Sequence, residues 1–208
     1  SGYYAGVRTV LRAADRGELT GILGPVVRLL RISPELDAAI EAALGSHVQD
    51  IVVEKWADAE AAITLLKRTG GGRATFLPLD MVRPNPKGLP NPSHLGVEGV
   101  LGAASGLVQF DPRYRPVIEV LLGQTLVVTD LKAAQRVLTE VANPPESSKL
   151  SGRWQRVVTL EGDLLLANGS VSGGSRQASD SRIALERDWQ ELPSRLAALE
   201  AKRDELAR

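Results

Sequence analysis

The sequence contains itself. Gly21-Ile22-Leu23-Gly24 returns 78 residues later as Gly99-Val100-Leu101-Gly102. At the same offset Ile40-Glu41 followed by Leu44-Gly45 returns as Ile118-Glu119 followed by Leu122-Gly123. Gln49-Asp50-Ile51-Val52-Val53 then matches Gln124-Thr125-Leu126-Val127-Val128 at an offset of 75. Arg73-Ala74-Thr75 has a looser echo in Arg156-Val157-Val158-Thr159. Chance supplies one such match, but not an ordered series. Whatever the first half builds, the second half builds again, so the core is two related half-domains, roughly 18–95 and 96–178.

Each half predicts the same elements. A short glycine-flanked apolar segment comes first, then a helix that ends at Gly45 or Gly123, Leu-Gly being a natural helix-ending pair. Ser33 and Pro34 supply a cap and a first-turn proline for the earlier of these helices. A strand follows, Ile51-Val52-Val53 or Leu126-Val127-Val128. A second helix covers Ala57 to Lys67 or Leu131 to Val141, and a further strand covers Ala74 to Leu77 or Val157 to Leu160. β-Branched runs alternating with helical periods predict a mixed α/β fold. Residues 83–96 hold Pro84, Pro86, Pro90 and Pro92 and read as an extended linker. Residues 143–152 read as an exposed loop.

Both ends predict helix. Tyr3, Val7, Val10 and Ala14 follow a helical seam, with Gly17 as its C-cap. Leu185, Trp189, Leu192, Leu196, Leu199 and Leu206 occupy heptad core positions, with Arg203 in the remaining slot. Glu186, Arg187, Glu191, Glu200, Lys202 and Glu205 supply the charged flanks. Pro193 removes a backbone donor and is expected to kink or restart the helix. Residues 1–17 and 179–208 are therefore expected to enter and leave the domain as helices, able to pair antiparallel as one stalk. The alternative is a pair of amphipathic helices packed on the domain. The absence of an initiator Met reads as a piece of something longer.

Composition excludes several chemistries. The 208 residues carry 25 basic and 25 acidic side chains, which argues against a dedicated basic nucleic-acid arm. Hydrophobic residues at 43% can build a core, and with aromatics at 4% it must be Leu, Val, Ile and Ala. There is no cysteine, hence no disulfide, thiolate metal site or thiol nucleophile, which fits a reducing compartment. No apolar stretch is long enough to span a bilayer. Gly70-Gly71-Gly72 precedes a strand instead of opening a helix, so it reads as a flexible turn and not a phosphate cradle. His47 and His94 lie far apart, with no carboxylate cluster to make a metal site. The matched Glu41 and Glu119 are explained by the duplication, and no catalytic constellation emerges.

Two features remain. Asn168-Gly169-Ser170-Val171-Ser172-Gly173-Gly174 lies just before the last helix, either as a plain turn or as a strand kept bare so that another backbone can approach. Lys67, Arg68 and Arg73 form a weak basic cluster with Arg83 and Lys87. Lys149, Arg153 and Arg156 form another beside Trp154. These are either solvated faces or sequence-blind phosphate contacts.

Taken together, Gly21-Ile22-Leu23-Gly24, Ala39 to Gly45, Gly72-Arg73-Ala74-Thr75-Phe76-Leu77-Pro78-Leu79-Asp80, Leu122 to Val128, Arg156 to Asp163 and Ser172-Gly173-Gly174 resemble the hinge domain of structural maintenance of chromosomes (SMC) proteins. The resemblance runs in order over roughly 18–176. It implies two pseudo-symmetric α/β subdomains, flanked by coiled-coil helices. It also implies a homodimer in which one subdomain of each chain meets the other subdomain of its partner. The dimer then links two coiled-coil arms of a chromosome-organising ATPase, in condensation and segregation, at the cytoplasmic nucleoid. ATP and Mg²⁺ belong to separate head domains, with no cofactor, metal, small-molecule substrate or membrane for this segment. Gly169, Ser170, Val171, Ser172, Gly173 and Gly174, together with Gly99 and Gly102, are implied at the dimer interface, with Asn168 standing where the family often has a glycine. Asn tolerates left-handed backbone angles better than most residues. Weak, sequence-blind DNA contact is implied for basic surface, with Lys67, Arg68, Arg73, Lys149, Arg153, Arg156 and Arg176 as candidates. Zero net charge ranks dimerisation above DNA contact; a DNA-binding module whose self-association is incidental is the other reading.

Overall fold

The computed structural model describes residues 3–84, 95–142, 154–174 and 181–206. The fold is mixed α/β. After helix α1 (Ala5–Asp15) the first half runs β1 (Ile22–Pro25), α2 (Val26–Leu29), β2 (Leu30–Arg31), α3 (Asp37–Leu44), β3 (Ile51–Val53), α4 (Trp56–Thr69) and β4 (Phe76–Pro78). The second half repeats the order as β5 (Val100–Ala103), α5 (Ala104–Leu107), β6 (Gln109–Phe110), α6 (Arg115–Leu122), β7 (Thr125–Val128), α7 (Leu131–Ala142) and β8 (Arg156–Thr159). It then adds β9 (Leu164–Leu166) and β10 (Val171–Ser172), and α8 (Arg182–Leu206) leaves the domain.

The repeat extends to register. β1 is antiparallel to β3 and β3 parallel to β4, as β5 is antiparallel to β7 and β7 parallel to β8. Even the irregularity recurs: the ladder slips between Ile22 and Gly24, and again between Val100 and Gly102. At both slips the glycine has positive φ, 126° and 150°, which a bulge of this kind reserves for a residue without Cβ. The register also corrects the sequence echo. Phe76 and Val157 oppose the equivalent residues Ile51 and Leu126, so Arg156 stands where the first half has Thr75, and not where it has Arg73.

Strand alternation sorts the core into layers. Val52 and Val127, the middle residues of equivalent strands, face one large cluster that spans both halves and includes Ile40, Leu44, Ile118 and Leu122. Ile51 and Val53 face a second cluster with Leu65 and Leu66 of α4, while Leu126 and Val128 face a third with Val137 and Trp154. Each fully buried Leu or Ile contributes roughly 1.5–3 kcal/mol, so the shared cluster is what makes two half-domains one body. β2 and β6 join the halves directly as a two-stranded antiparallel sheet in which Arg31 opposes Gln109. Those two residues are 78 apart, so a pseudo-two-fold axis passes between them.

Several expectations need correction. The seam of α1 does not face α8: Val7, Val10 and Ala13 are buried with β3 and α4 in the second cluster. Tyr3 and Tyr4, ahead of the helix, are what reach α8, through Tyr3 to Glu186 and Tyr4 under the Arg182 guanidinium. Pro193 lies inside α8 without interrupting it. Gly45 ends α3 with positive φ, but Gly123 ends α6 with an ordinary helical φ of −66°. Ser33 occupies the cap position of a 3-10 turn, Pro34–Leu36, without a capping hydrogen bond. The Gly70–Gly72 run is no loose turn: Gly70 ends α4 in a left-handed conformation, and a Cβ on Gly72 or on Gly6 of α1 would strike the other segment's backbone.

Candidate interface edges and the root of the outgoing helix

The glycine string folds as a hairpin onto β8. Gly169, at φ 87°, turns the chain between β9 and β10, and the Asn168 side chain accepts from the Ser170 amide at 3.0 Å. Asn168 therefore closes the turn with its own carbonyl oxygen. β10 pairs with β9 on one side and ends the five-stranded sheet β10-β9-β8-β7-β5 on the other. Val171 on this strand is 60% exposed, and Ser170, Ser172, Gly173 and Gly174 around it are exposed as well. The three-stranded sheet β1-β3-β4 ends on β4. β10 and β4 are thus end strands of their sheets, as β5 and β1 are at the opposite ends.

Packing within the chain accounts for several of the candidate glycines, and Gly99 and Gly102 lie at β5, at the other end of the sheet from β10. The Asp163 carboxylate fills the space a Cβ on Gly173 would take. Asp163 is fixed there by Thr159, whose hydroxyl donates to its Oδ2 at 2.9 Å and accepts from its amide at 3.0 Å. Gly99 has φ 89°, and a Cβ there would lie 2.7 Å from Thr129 Oγ1; Gly102 sits at the bulge. Gly174, at φ 142°, faces open space.

The basic candidates separate. Lys67 and Arg68 are exposed in the last turn of α4, and Arg73 is exposed beyond it. Arg12 and Arg16, which the sequence reading passed over, are exposed at the end of α1, the helix packed against α4. Arg16 and Arg68 both hold the Glu18 carboxyl below its usual range. Lys149, Arg153 and Arg176 lie outside the described residues. Arg156 turns inward: it is half-buried, and its two terminal nitrogens donate to Ala43 O at 2.8 Å and Leu121 O at 3.1 Å. Its fork is committed to protein carbonyls, and burial lowers its pKa from the ordinary arginine value.

The root of α8 is a polar anchorage that no sequence motif revealed. Ser181 caps the helix, its Oγ accepting from the Ala184 amide at 3.2 Å while donating to Glu41 Oε2 at 2.7 Å. The other Glu41 oxygen accepts from the Arg182 amide at 3.3 Å. A buried carboxylate at a helix N-terminus is well placed, because the orphan amides there carry partial positive charge. Arg187 donates to Ile32 O and to Asp37. Burial pushes the Asp37 carboxyl above its usual range against the pull of Arg187. Glu186 accepts from Arg28 at 3.0 Å and from the Tyr3 hydroxyl at 2.7 Å, and burial followed by that carboxylate drives the Tyr3 pKa well up. Beyond this root the heptad side chains from Leu185 to Leu199 stay exposed. Tyr3, Val27, Val48, Leu185 and Trp189 line a cavity of about 390 Å³ at its base. Glu41 and Glu119 hold equivalent positions with different work, Glu119 pairing within its own helix with Arg115 at 3.8 Å.

No group of three or more His, Cys, Asp or Glu side chains able to hold a metal occurs among the described residues. Among them too, no helix is long and apolar enough to cross a membrane.

Comparison with known proteins agrees with this architecture. Residues 19–138 match the family model described as SMC proteins Flexible Hinge Domain. The chromosome partition protein Smc of Bacillus subtilis is 39% identical over 204 residues, covering 97% of this chain and 16% of that protein. The protein of the same description from Halothermothrix orenii is 39% identical over 88% of this chain and 14% of its own length. This chain therefore spans about a sixth or less of these relatives. Among solved structures, an asymmetric dimer of the Geobacillus stearothermophilus SMC hinge domain superposes with a TM-score of 0.73 at 36% identity, covering 100% of this chain and 84% of that one. The Pyrococcus furiosus Smc hinge domain with an extended coiled coil gives 0.61 at 28%, covering 97% and 66%. With a duplicated α/β core and an outgoing helix whose seam is exposed from Leu185 to Leu199, the chain belongs to the SMC hinge-domain family.

Proposed function

We propose that this chain is the dimerisation hinge of a chromosome-organising protein, joining two helical arms by pairing with an identical chain. The observation that carries this reading is a pair of unlike sheet ends, the exposed β10 in one half and the half-buried β4 in the other. An exposed strand edge presents unpaired amides and carbonyls that a second strand satisfies. Two-fold symmetry sets β10 of each chain against β4 of the other, so the contact is made twice. Once one contact forms, the second closes at high effective concentration. The exposed leucines of α8 supply the seam of the arm. The solved dimer of a similar hinge domain, itself an asymmetric one, supports pairing between two copies of this chain. Nucleotide hydrolysis, with ATP and Mg²⁺, falls to regions of the longer protein beyond this segment, which works in chromosome segregation at the cytoplasmic nucleoid.

DNA contact is the weaker part of this function. Arg12, Arg16, Lys67, Arg68 and Arg73 make the exposed basic surface at the ends of α1 and α4, suited to phosphates and blind to base sequence.

Sedimentation equilibrium at tens of micromolar tests the hinge reading. The chain is expected at twice its 22.2 kDa mass, and Val171→Glu is expected to be monomeric with an unchanged circular dichroism spectrum. Val171 is the right probe because a side chain at Gly173 would collide with Asp163 and damage the fold itself. A wild-type monomer that binds DNA through Lys67 and Arg68 would favour the DNA-binding module instead. A Val171→Glu dimer as tight as wild type would remove β10 from the interface.

A further inference from the structure

We propose that Arg156 fixes the angle between the two halves of the chain, and so decides whether both of its edges can meet a partner at once. This rests on the hinge reading for its consequence, though not for its geometry. The two carbonyls that Arg156 grips, Ala43 O and Leu121 O, are not an arbitrary pair. They belong to residues 78 apart, the same position of the duplicated helices α3 and α6. Arg156 thus bridges the pseudo-two-fold relation, with one nitrogen on each copy. The first half has Thr75 at the equivalent strand position, so a single arginine serves both halves.

The chemistry suits a fixed angle. Both carbonyls lie in a last helical turn, where they lack intrahelical partners and carry partial negative charge. They hold a half-buried guanidinium that pairs with no carboxylate among the described residues. The planar fork sets the direction of both bonds at once. The apolar cluster shared by the halves holds them together, but hydrophobic burial is non-directional. The other polar links between the halves are weaker guides: β2 and β6 are two residues each, and the Arg113–Glu54 pair is exposed.

The position also reaches the edge. Arg156 lies on β8 opposite Leu166 of β9, and β9 carries β10. α3 packs on β8 and belongs to the half that ends in β4. A rotation of α3 against β8 therefore moves one edge relative to the other. A ring closed by two contacts tolerates little of this, since effective concentration collapses when geometry forbids simultaneous engagement.

The absence of cysteine makes the test clean. Thr64→Cys on α4 and Gln135→Cys on α7, both exposed, take spin labels, and labelled chains diluted into unlabelled ones report the distance between halves. A narrow distribution is expected in the parent protein. Arg156→Met is expected to broaden or shift it and to raise the dimer dissociation constant by about tenfold or more. Arg156→Lys, which offers one ammonium in place of a fork, is expected to fall between them. Arg156→Met with both readouts unchanged would overturn the proposal. So would a loss of thermal stability with the distance distribution intact, which is what a merely structural residue gives. Should Arg156→Met fail to fold, a folded Arg156→Lys chain with the parent distribution would overturn it too. A parent chain that proves monomeric defeats the hinge reading alone, and the distance distributions still judge the role of Arg156.

Discussion

In the first half of the chain the fourth strand, β4, is an edge; in the second half the equivalent strand, β8, lies inside the sheet because β9 and β10 fold onto it. Two copies of one scaffold have come to differ at the place where a partner strand would add. If the halves were identical, each would offer the same bare edge, and the chain would have one kind of contact to repeat. With one half extended and the other left open, the chain has two unlike end strands at this place, which is what the proposed self-pairing needs. A smaller difference lies where the offset drops from 78 to 75. There the first half has a 3-10 turn, Gly45–Gln49, that the second lacks. That turn places His47 Nδ1 2.6 Å from Asp50. Thr125, the counterpart of Asp50, is fully buried, and its hydroxyl has no hydrogen-bond partner among the described residues.

The strongest test of the comparison is in the shared core. Leu44 and Leu122 are equivalent residues, 1% and 0% exposed. Leu44→Ala and Leu122→Ala are each expected to cost about 2–5 kcal/mol in denaturant unfolding. Because both line the same cluster, the double variant should depart from the sum. Additive losses would mean that the halves have independent cores.

A step down in size are Gly21 and Gly99, which hold positive φ at equivalent places, each with its Cβ position already taken, by Asp58 in one half and by Thr129 and Ala133 in the other. Gly21→Ala and Gly99→Ala should each lose about 1–3 kcal/mol. If Gly99→Ala instead weakened self-association and left stability intact, that glycine would belong to the interface and not to internal packing.

The smallest effects separate Asp50 from Thr125. Thr125→Val removes an unpaired buried hydroxyl and is expected to be neutral or to stabilise by about 1 kcal/mol. For Asp50, burial raises the folded-state pKa despite the opposing pull of His47. The native state therefore holds the proton more tightly than the unfolded chain. The stabilisation from that difference is complete below the unfolded pKa and is lost as pH rises through the folded value. Asp50→Asn cannot ionise, so its stability relative to the parent should increase from acid toward neutral pH. A pH-independent gap in urea unfolding would show that the raised pKa has no weight in folding.

Much of the fold was readable from consecutive residues. The ordered repeats announced the duplication, and helical periods and β-branched runs gave α4, α7, β3 and β7 nearly to their ends. The β9–β10 hairpin was legible only as an ambiguous glycine string, because nothing local tells a strand that pairs from a turn that does not. The very short β2 and β6 left no periodic signal at all. Arg156 read as one of several basic residues beside Trp154; what sets it apart is two carbonyls 113 and 35 residues away. Glu41 read as a by-product of duplication, although it anchors the start of α8 across 140 residues.

The sequence by itself determined that this chain holds a doubled α/β unit followed by a helix with an apolar seam, because repeats, periodicity and glycine turns are properties of neighbouring residues. Only the tertiary structure decided that the seam of α1 is spent inside the domain while that of α8 stays exposed from Leu185 to Leu199. It alone decided that Gly173 makes room for Asp163, and that one arginine ties the two copies together. Each of these depends on which distant segments meet, and burial, close approach and the pairing of a guanidinium with helix ends are settled by that meeting.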